Sequence, residues 1–352
     1  MIEATIDLDA LTRNIRRVVE RISPAALMAV VKADAYGHGA LPVAQTAVAE
    51  GVTWLGVLDA ETGLQLRQEG ISRDVRMFAW LFSPEEEYAS LIDADIDLGI
   101  SHLHQLERVA TARVSRSARL HLKIDTGLHR NGSTPERWPA LVTRALELQA
   151  AGHVEVYGVW THIGEASEAE DSLAIARFDT AIRVAEALGA DIRVRHLAAS
   201  AAGYARADAR FDLVRTGAFL YGIAPGDAVG PAEIGIEPVM TLTSRVTRVT
   251  TDGPRMRAVI AGGWLDGIPA NAGGLVNVAI AGRRHSVTSV TATETECDTH
   301  GHPVQVGDVV TFFGSGVSGE EDLQQWADAL GTIGEEIVVR IPRLVPRRYT
   351  RS

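Results

Sequence analysis

The sequence holds one cysteine, Cys297, in 352 residues. An internal disulfide is therefore excluded, in keeping with a reducing compartment. Long apolar runs are missing as well: none approaches the ~18 residues of a spanning helix. The N-terminus, Met1-Ile-Glu-Ala-Thr-Ile-Asp-Leu-Asp9, carries acids where a secretory leader carries a basic region, so a cytoplasmic protein is expected. Positive charge is in deficit. The formal net charge of -11 opposes any function built on neutralising nucleic-acid phosphates or an anionic membrane surface. Only Arg340, Arg343, Arg347, Arg348 and Arg351 make a locally basic stretch, expected to be a structural or solvated terminus. Low-complexity segments are lacking too.

With 46% hydrophobic residues the chain can bury a large core, and its length suggests about two domains. Ile2 to Leu8 alternate like a half-buried strand, followed by a helix with Asp9 as N-cap and Leu11, Ile15, Val18, Val19 and Ile22 on one face. Short apolar strands then alternate with amphipathic segments: Leu27–Val31, Trp54–Leu58, Val75–Trp80, Ile96–Ile100, Leu120–Ile124, Val156–Thr161, Ile192–His196 and Leu213–Tyr221. Helix ends are legible at Ser83-Pro84-Glu85-Glu86, a capping box with proline at the first helical position, and in Ser172–Leu188, closed by Gly189. Eight such units predict an α/β fold, a closed (β/α)8 TIM barrel over 9–225. Past a Gly/Pro/Ala-rich linker, Ala224–Ile234, the periodicity changes. The runs Val239–Val249, Arg257–Ala261, Leu275–Ala281, Val287–Thr293 and Val309–Phe313 predict a C-terminal antiparallel β domain, made of 1–8 and 226–352.

A barrel places its chemistry at the C-terminal ends of its strands. Those ends carry Lys32 and Tyr36, then Lys123, Asp125 and Arg130, His162, His196 and Ser200, and finally Arg215 and Gly217. Each has a plain alternative: a lysine after a strand is commonly a surface residue, strand-end histidines commonly pack in the rim, and Arg215 could simply neutralise Asp212. Their convergence on one mouth favours a site. A lysine amine beside glycines and a serine that could hold a phosphate suggests pyridoxal 5'-phosphate, whose aldehyde needs the first and whose phosphate needs the second.

The stretches Lys32-Ala-Asp-Ala-Tyr36-Gly-His-Gly39, Leu122-Lys123-Ile-Asp-Thr-Gly127-Leu-His-Arg130, Thr161-His162 and Val214-Arg215-Thr-Gly217, with Leu220-Tyr221-Gly222, closely resemble the alanine racemase family over essentially the whole chain. The resemblance implies that Lys32 holds the cofactor as a Schiff base and acts as the base on one face of Cα. It implies that Tyr36, Ser200, Gly217 and the N–H of Ala218 hold the phosphate. Arg130 would stand near the phenolic oxygen and the substrate carboxylate, positioned by Lys123, which is carbamylated in some members. His162 would pack near the ring, and Arg215, backed by His196, would face the pyridine nitrogen. An arginine there does not yield its proton and so weakens the ring as an electron sink. A homodimer sharing its active sites is implied as well.

The chain departs from the family on the side the partner would supply. The family's second base is a tyrosine in a Gly-Tyr-variable-Asp-Gly motif; here the segment reads Gly263-Trp264-Leu265-Asp266-Gly267, and an indole cannot abstract a proton. The neighbouring methionine and aspartate correspond to Ala292 and Thr293, though a backbone N–H near Ala292 could still meet the substrate carboxylate. Ala199 replaces an asparagine, Arg343 stands where a tyrosine often helps with phosphate, and a family loop containing serine, tyrosine and glycine is absent between Val249 and Ala258. Three functions stay open: an amino-acid racemase whose second base is a water or a residue such as Tyr221, a one-base enzyme performing decarboxylation or elimination, or a non-catalytic cofactor-binding protein. Gly314-Ser-Gly316-Val-Ser-Gly319 before a helix at Glu320, and Cys297-Asp298-Thr-His300-Gly-His302, imitate a dinucleotide fingerprint and a metal cluster; turns are expected at both, and no metal.

Overall fold

The computed structural model describes residues 2–351 apart from 227, 228, 253 and 254. Parts of the expected linker at 224–234 and of the segment between Val249 and Ala258 where the family loop is absent thus lie outside the described residues. The chain divides into two compact units, one of Val18–Lys32 and Ala47–Gly217, the other of Met1–Arg17, Ala33–Thr46 and Ala218–Ser352.

The first unit contains a parallel eight-stranded sheet of Ala26–Val30, Trp54–Leu58, Arg76–Ala79, Ile96–Ile100, Ala118–Lys123, Val154–Trp160, Val194–His196 and Leu213–Thr216. Each of the first six pairs with the next in sequence, and the first also pairs with the eighth. Between the seventh and eighth strands no ladder forms; the Asp212 N–H donates to Arg195 O and the Arg215 N–H to Ala198 O, both at 3.1 Å. The result is a nearly closed TIM-like barrel. Its interior is filled by Met28, Trp54, Phe78, Trp160 and Leu213. Glycine makes room for these rings: a Cβ on Gly99 would stand 2.8 Å from Trp80 Cβ. Bulky interior packing of this kind leaves the strand ends as the place for a site.

Several local boundaries differ from the sequence expectation. The first helix, Leu8–Ile22, is capped by Asp7, whose Oδ1 accepts the N–H groups of Asp9 and Ala10 at 2.9 Å each, so Asp9 lies inside it. Ser83-Pro84-Glu85-Glu86 forms the predicted reach-back, with Ser83 N–H on the Glu86 carboxylate at 3.3 Å, but as a turn; the helix starts at Tyr88. The long helix begins at Glu168 behind Ser167, whose hydroxyl accepts the Glu170 N–H, because serine offers a cap that Ser172 inside the helix cannot. The eighth strand ends at Thr216, and Ala218–Tyr221 is a 3-10 turn. A buried apolar run reads alike in either conformation.

In the second unit, Arg255–Ala261, Glu294–Asp298, Arg283–Val290, Asn277–Ile280, Val309–Phe313 and Met240–Asp252 form an antiparallel sheet. It closes where Met240–Asp252 pairs with Arg255–Ala261. Glu3–Asp7 and Arg347–Thr350 extend it. Glu294–Asp298 was not anticipated as a strand, because its charged residues mask an alternation that buries Thr295 and Cys297. Cys297 is thereby a core residue, and no group of three potential ligands suited to a metal occurs among the described residues. In the glycine loop the carboxylate of Glu320 takes the N–H groups of Gly316 and Ser318, both at 2.8 Å, so that anion cradle is already filled. The helix after it starts at Leu323, capped by Asp322. The terminal arginines are structural: Arg340 pairs with Glu336 and Arg348 with Glu3, for example, at 2.7 and 2.8 Å. No helix among the described residues is long and apolar enough to cross a membrane.

Candidate active site

Lys32 follows the first barrel strand, with Val31 N–H donating to Gly56 O at 2.9 Å. The next residues form one turn of left-handed helix: Ala33, Asp34 and Ala35 have φ of 52, 55 and 53° with ψ near 47°, and Tyr36 has φ 55°. This conformation costs non-glycine residues about 1–2 kcal/mol each. The turn is bonded internally by Gly37 N–H to Ala33 O and Gly39 N–H to Asp34 O, both 2.9 Å. His38, fully buried, holds it from inside, its Nδ1 lying 3.0 Å from both Ala35 O and Tyr36 O. Two carbonyl partners make Nδ1 the protonated nitrogen. Burial pushes His38 down to about 4, so it is neutral. The turn is thus built mainly from alanine and aspartate, with glycines only at its exit.

Arg215, at the end of the eighth strand, is buried and heavily engaged. Its Nη2 donates to Thr161 O at 2.9 Å and Leu197 O at 3.0 Å and meets His162 Nδ1 at 3.1 Å. Its Nη1 meets His196 Nδ1 at 3.1 Å. His196 Nε2 then lies 2.9 Å from His121 Nδ1, and His121 Nε2 lies 3.3 Å from Asp97 Oδ2. Because arginine can only donate, the tautomers along this line are determined: His196 accepts through Nδ1 and donates through Nε2, and His121 does the same toward the carboxylate. Arg119 Nε at 2.6 Å and Arg76 Nη1 at 3.3 Å complete the surroundings of Asp97. Burial raises the Asp97 pKa, but the His121 hydrogen bond and the charges around it outweigh that and leave it lowered. Burial drives His196 well below the usual histidine range, and His162 down to about 2 with Arg215 and Arg130 adding to the effect. Both rings are neutral. Arg215 therefore does not neutralise Asp212, which is taken by Arg195 at 2.7 Å.

Trp160 lies beside this line, stacked on His196 at 5.5 Å, with Arg215 5.1 Å and Lys123 Nζ 4.4 Å from its ring. Burial, then the charges of Arg215 and Arg130, push Lys123 down to about 7. Arg130 is exposed on a loop anchored by Asp125, whose Oδ1 accepts Gly127 N–H at 3.0 Å and His129 N–H at 3.2 Å. Lys32 is close enough for its charge to depress His162. The barrel unit thus brings Lys32, Lys123, Arg130 and Arg215 around the neutral ring of His162, with the neutral His196 behind Arg215. Ser200 belongs with them, its hydroxyl accepting the Gly217 N–H at 3.2 Å.

Tyr36, Ala218, Trp264 and Ala292 belong to the other compact unit. Tyr36 is buried with its ring 5.0 Å from that of Tyr221, and burial raises its hydroxyl pKa. Ala218 O accepts the Ile223 N–H at 3.0 Å. Trp264 and Leu265 sit on a 3-10 turn, 51% and 58% exposed, and their N–H groups donate to Thr291 O at 2.9 Å and Ala292 O at 3.0 Å. Trp264 and Ala292 are therefore adjacent. Tyr221, the suggested substitute base, is fully buried and stacked on His38 at 4.7 Å. Burial raises its pKa well above the tyrosine norm, which makes it a structural ring and not a proton acceptor.

Asp97, His121, Trp160 and His38 were missed from sequence. An aspartate inside the apolar strand Ile96-Asp97-Leu98 was the available sign, since a buried carboxylate needs partners. A second sign was a count: the chain has two lysines, Lys32 and Lys123, and both are here.

Sequence models of the alanine racemase N-terminal and C-terminal domains match residues 6–225 and 239–349. The chain belongs to the alanine racemase family. The alanine racemase of Frankia casuarinae is 42% identical, covering 98% of this chain and 95% of that protein, and that of Thermobifida fusca is 41% identical, covering 99% and 98%. Among solved structures, alanine racemase from Streptomyces coelicolor A3(2) superposes with a TM-score of 0.96 at 37% identity, covering 100% of this chain and 98% of that one. The enzyme from D-cycloserine producing Streptomyces lavendulae gives 0.95 at 37%, covering 100% and 97%. The alanine racemase family is one of pyridoxal 5'-phosphate-dependent isomerases, and this member is an enzyme of that class. Its donor set fits the cofactor: an amine at a strand end, a second amine near neutrality, and a buried arginine held by two neutral histidines.

Proposed function

We propose that this protein interconverts the enantiomers of an amino acid, alanine being the substrate suggested by its relatives, with Lys32 as the covalent attachment point for pyridoxal phosphate and the base on one face of Cα. The observation that carries the reading is the buried line from Asp97 through His121 and His196 to Arg215, whose other partner, His162, feels the charge of Lys32. The cofactor, when bound, supplies an aldehyde for an amine and a ring that acidifies the α-hydrogen. Arg215, its hydrogen bonds to the two histidines already fixed in direction, offers the ring nitrogen a donor that keeps its own proton. Lys123 orients Arg130 toward the phenolic oxygen and the substrate carboxylate; an amine near neutral at pH 7 is also the form that reacts with carbon dioxide. Tyr36, Ser200, Gly217 and the Ala218 N–H hold the phosphate, and His162 and His196 remain neutral supports.

Trp264 supplies no base for the opposite face. A water therefore carries that proton, with the indole and Ala292 as wall. The half-exposed Trp264 and Leu265 support a homodimer in which each β unit covers the partner's site, and the single cysteine supports a cytoplasmic location. The test is incubation of each alanine enantiomer with cofactor-loaded protein in heavy water. Deuterium entering both enantiomers together with their interconversion is expected. Exchange of one enantiomer alone would make it a one-base enzyme, and exchange of neither, with cofactor retained, a carrier. Sedimentation of the loaded protein as a monomer would refute the shared-site dimer.

A further inference from the structure

The left-handed turn after Lys32 is met by the chain's own C-terminal segment. Arg343 Nε pairs with Asp34 Oδ2 at 3.2 Å, while Asp34 Oδ1 accepts the Ala40 N–H at 2.8 Å. Arg347 Nε donates to Gly37 O at 3.1 Å. The rest of the same guanidinium is spent on Val345 O at 2.6 Å, Ile341 O at 2.7 Å and Pro342 O. One planar fork therefore ties the exit of the turn to the bend where the C-terminal segment begins. The Tyr349 hydroxyl packs against Gly39, where an added Cβ would lie 2.0 Å from it. Arg351 donates to Thr46 Oγ1 at 3.0 Å on the next helix, Ala40–Ala49. The segment has its own anchor, since Arg347–Thr350 pairs in parallel with Ala4–Asp7.

Four successive non-glycine residues do not keep left-handed torsions by local preference. The turn's internal bonds leave its outer face, Asp34 and Gly37, to be held from elsewhere, and the C-terminal segment does so at both ends. Lys32 is covalently joined to Ala33, so the direction in which its side chain leaves the strand depends on the turn.

We propose that Arg343 and Arg347, with Tyr349, are positioning residues for Lys32: the C-terminal segment clamps the left-handed turn and so aims the lysine amine at the cofactor aldehyde. The proposal rests on Lys32 being the cofactor lysine. Because the chain has only two lysines, borohydride trapping of added pyridoxal phosphate on the cofactor-free full-length protein can be resolved at Lys32 and Lys123 by peptide mass, Lys123 serving as internal reference. Arg347→Met should lower the trapping rate at Lys32 relative to Lys123 about tenfold, a tenth of the ~10²-fold that a ~1 Å misplacement can cost, since the turn keeps its internal bonds. Arg343→Ala removes only an exposed pair, 74% accessible on the arginine side, and should lower it about threefold, with Arg343→Lys restoring it. Hydrogen exchange at the Gly37 and Gly39 amides, measured without cofactor, should quicken in the same order. If Arg347→Met does not fold, the Arg343 pair of variants decides. Unchanged trapping ratios would overturn the clamp, as would slowed trapping with unchanged exchange. A parent protein that traps nothing at Lys32 would instead overturn the assignment of that lysine, and the clamp with it.

Discussion

Replacing Asp97 by asparagine keeps the side chain's shape and changes only what its two terminal atoms can do. In the parent, Oδ1 accepts Arg119 Nε at 2.6 Å and Oδ2 accepts both Arg76 Nη1 and His121 Nε2 at 3.3 Å, with Asp97 fully buried. An asparagine has one acceptor oxygen and an NH2. If the oxygen faces Arg119, the NH2 opposes Arg76 and His121. His121 can yield by moving its proton to Nδ1, but then His196 must carry its own on Nδ1, facing the Arg215 N–H at 3.1 Å. If the amide is turned round, its NH2 opposes Arg119. In every arrangement one buried donor faces another. A lost charge-assisted hydrogen bond is worth about 1.5–3 kcal/mol and an unsatisfied buried donor about 1–3 kcal/mol. Together they reach the ~3–5 kcal/mol of a broken buried ion pair. At ~2–4 °C per kcal/mol for a unit of barrel size, Asp97→Asn should melt roughly 10 °C lower by calorimetry. Nitrogen-15 shifts of the His121 and His196 rings should show Nε2–H tautomers in the parent and an altered His121 or His196 in the variant. A melting temperature within ~2 °C of the parent with unchanged tautomers would refute the donor line and the role given to it behind Arg215.

Trp264→Tyr restores a hydroxyl at the position of the missing base and should raise racemisation by ~10²-fold or more, monitored by chiral chromatography; no rise would place the loss in Ala292 and the rest of the altered wall. His38, His162 and His196 are all depressed by burial, so between about 4 and the ordinary ~6.5 the unfolded chain binds up to about three more protons. Their contribution to stability is therefore complete above ~6.5 and should fall by up to about 4 kcal/mol per pH unit as the pH drops through that window, read from urea unfolding at pH 7, 6 and 5; a flat profile would mean that the rings are not held neutral. Gly158→Ala places a Cβ 2.6 Å from His121 Nδ1 and 2.7 Å from Val194 O, so two neighbouring strands must shift. A loss of ~1–3 kcal/mol in denaturant unfolding is expected, and a neutral substitution would show the barrel wall to be softer than its packing indicates.

The eightfold alternation of strand and helix, the change to strand periodicity after Gly222, and the lysine, arginine and histidine positions at the strand ends were all determined by the sequence alone. They are local patterns, set by side-chain periodicity and by which residues close a strand. The Lys32 motif likewise indicated its cofactor before any coordinates. The tertiary structure decided everything that depends on two distant segments meeting. Asp97 and His121 read as ordinary strand residues until the barrel sets them in line with His196 and Arg215. Tyr221 read as a possible base until burial against His38 removed it. Four left-handed torsions on Ala33, Asp34, Ala35 and Tyr36 contradict local preference, so no propensity could foretell them; they persist because surrounding groups, among them Arg347 from the far end of the chain, hold them in place.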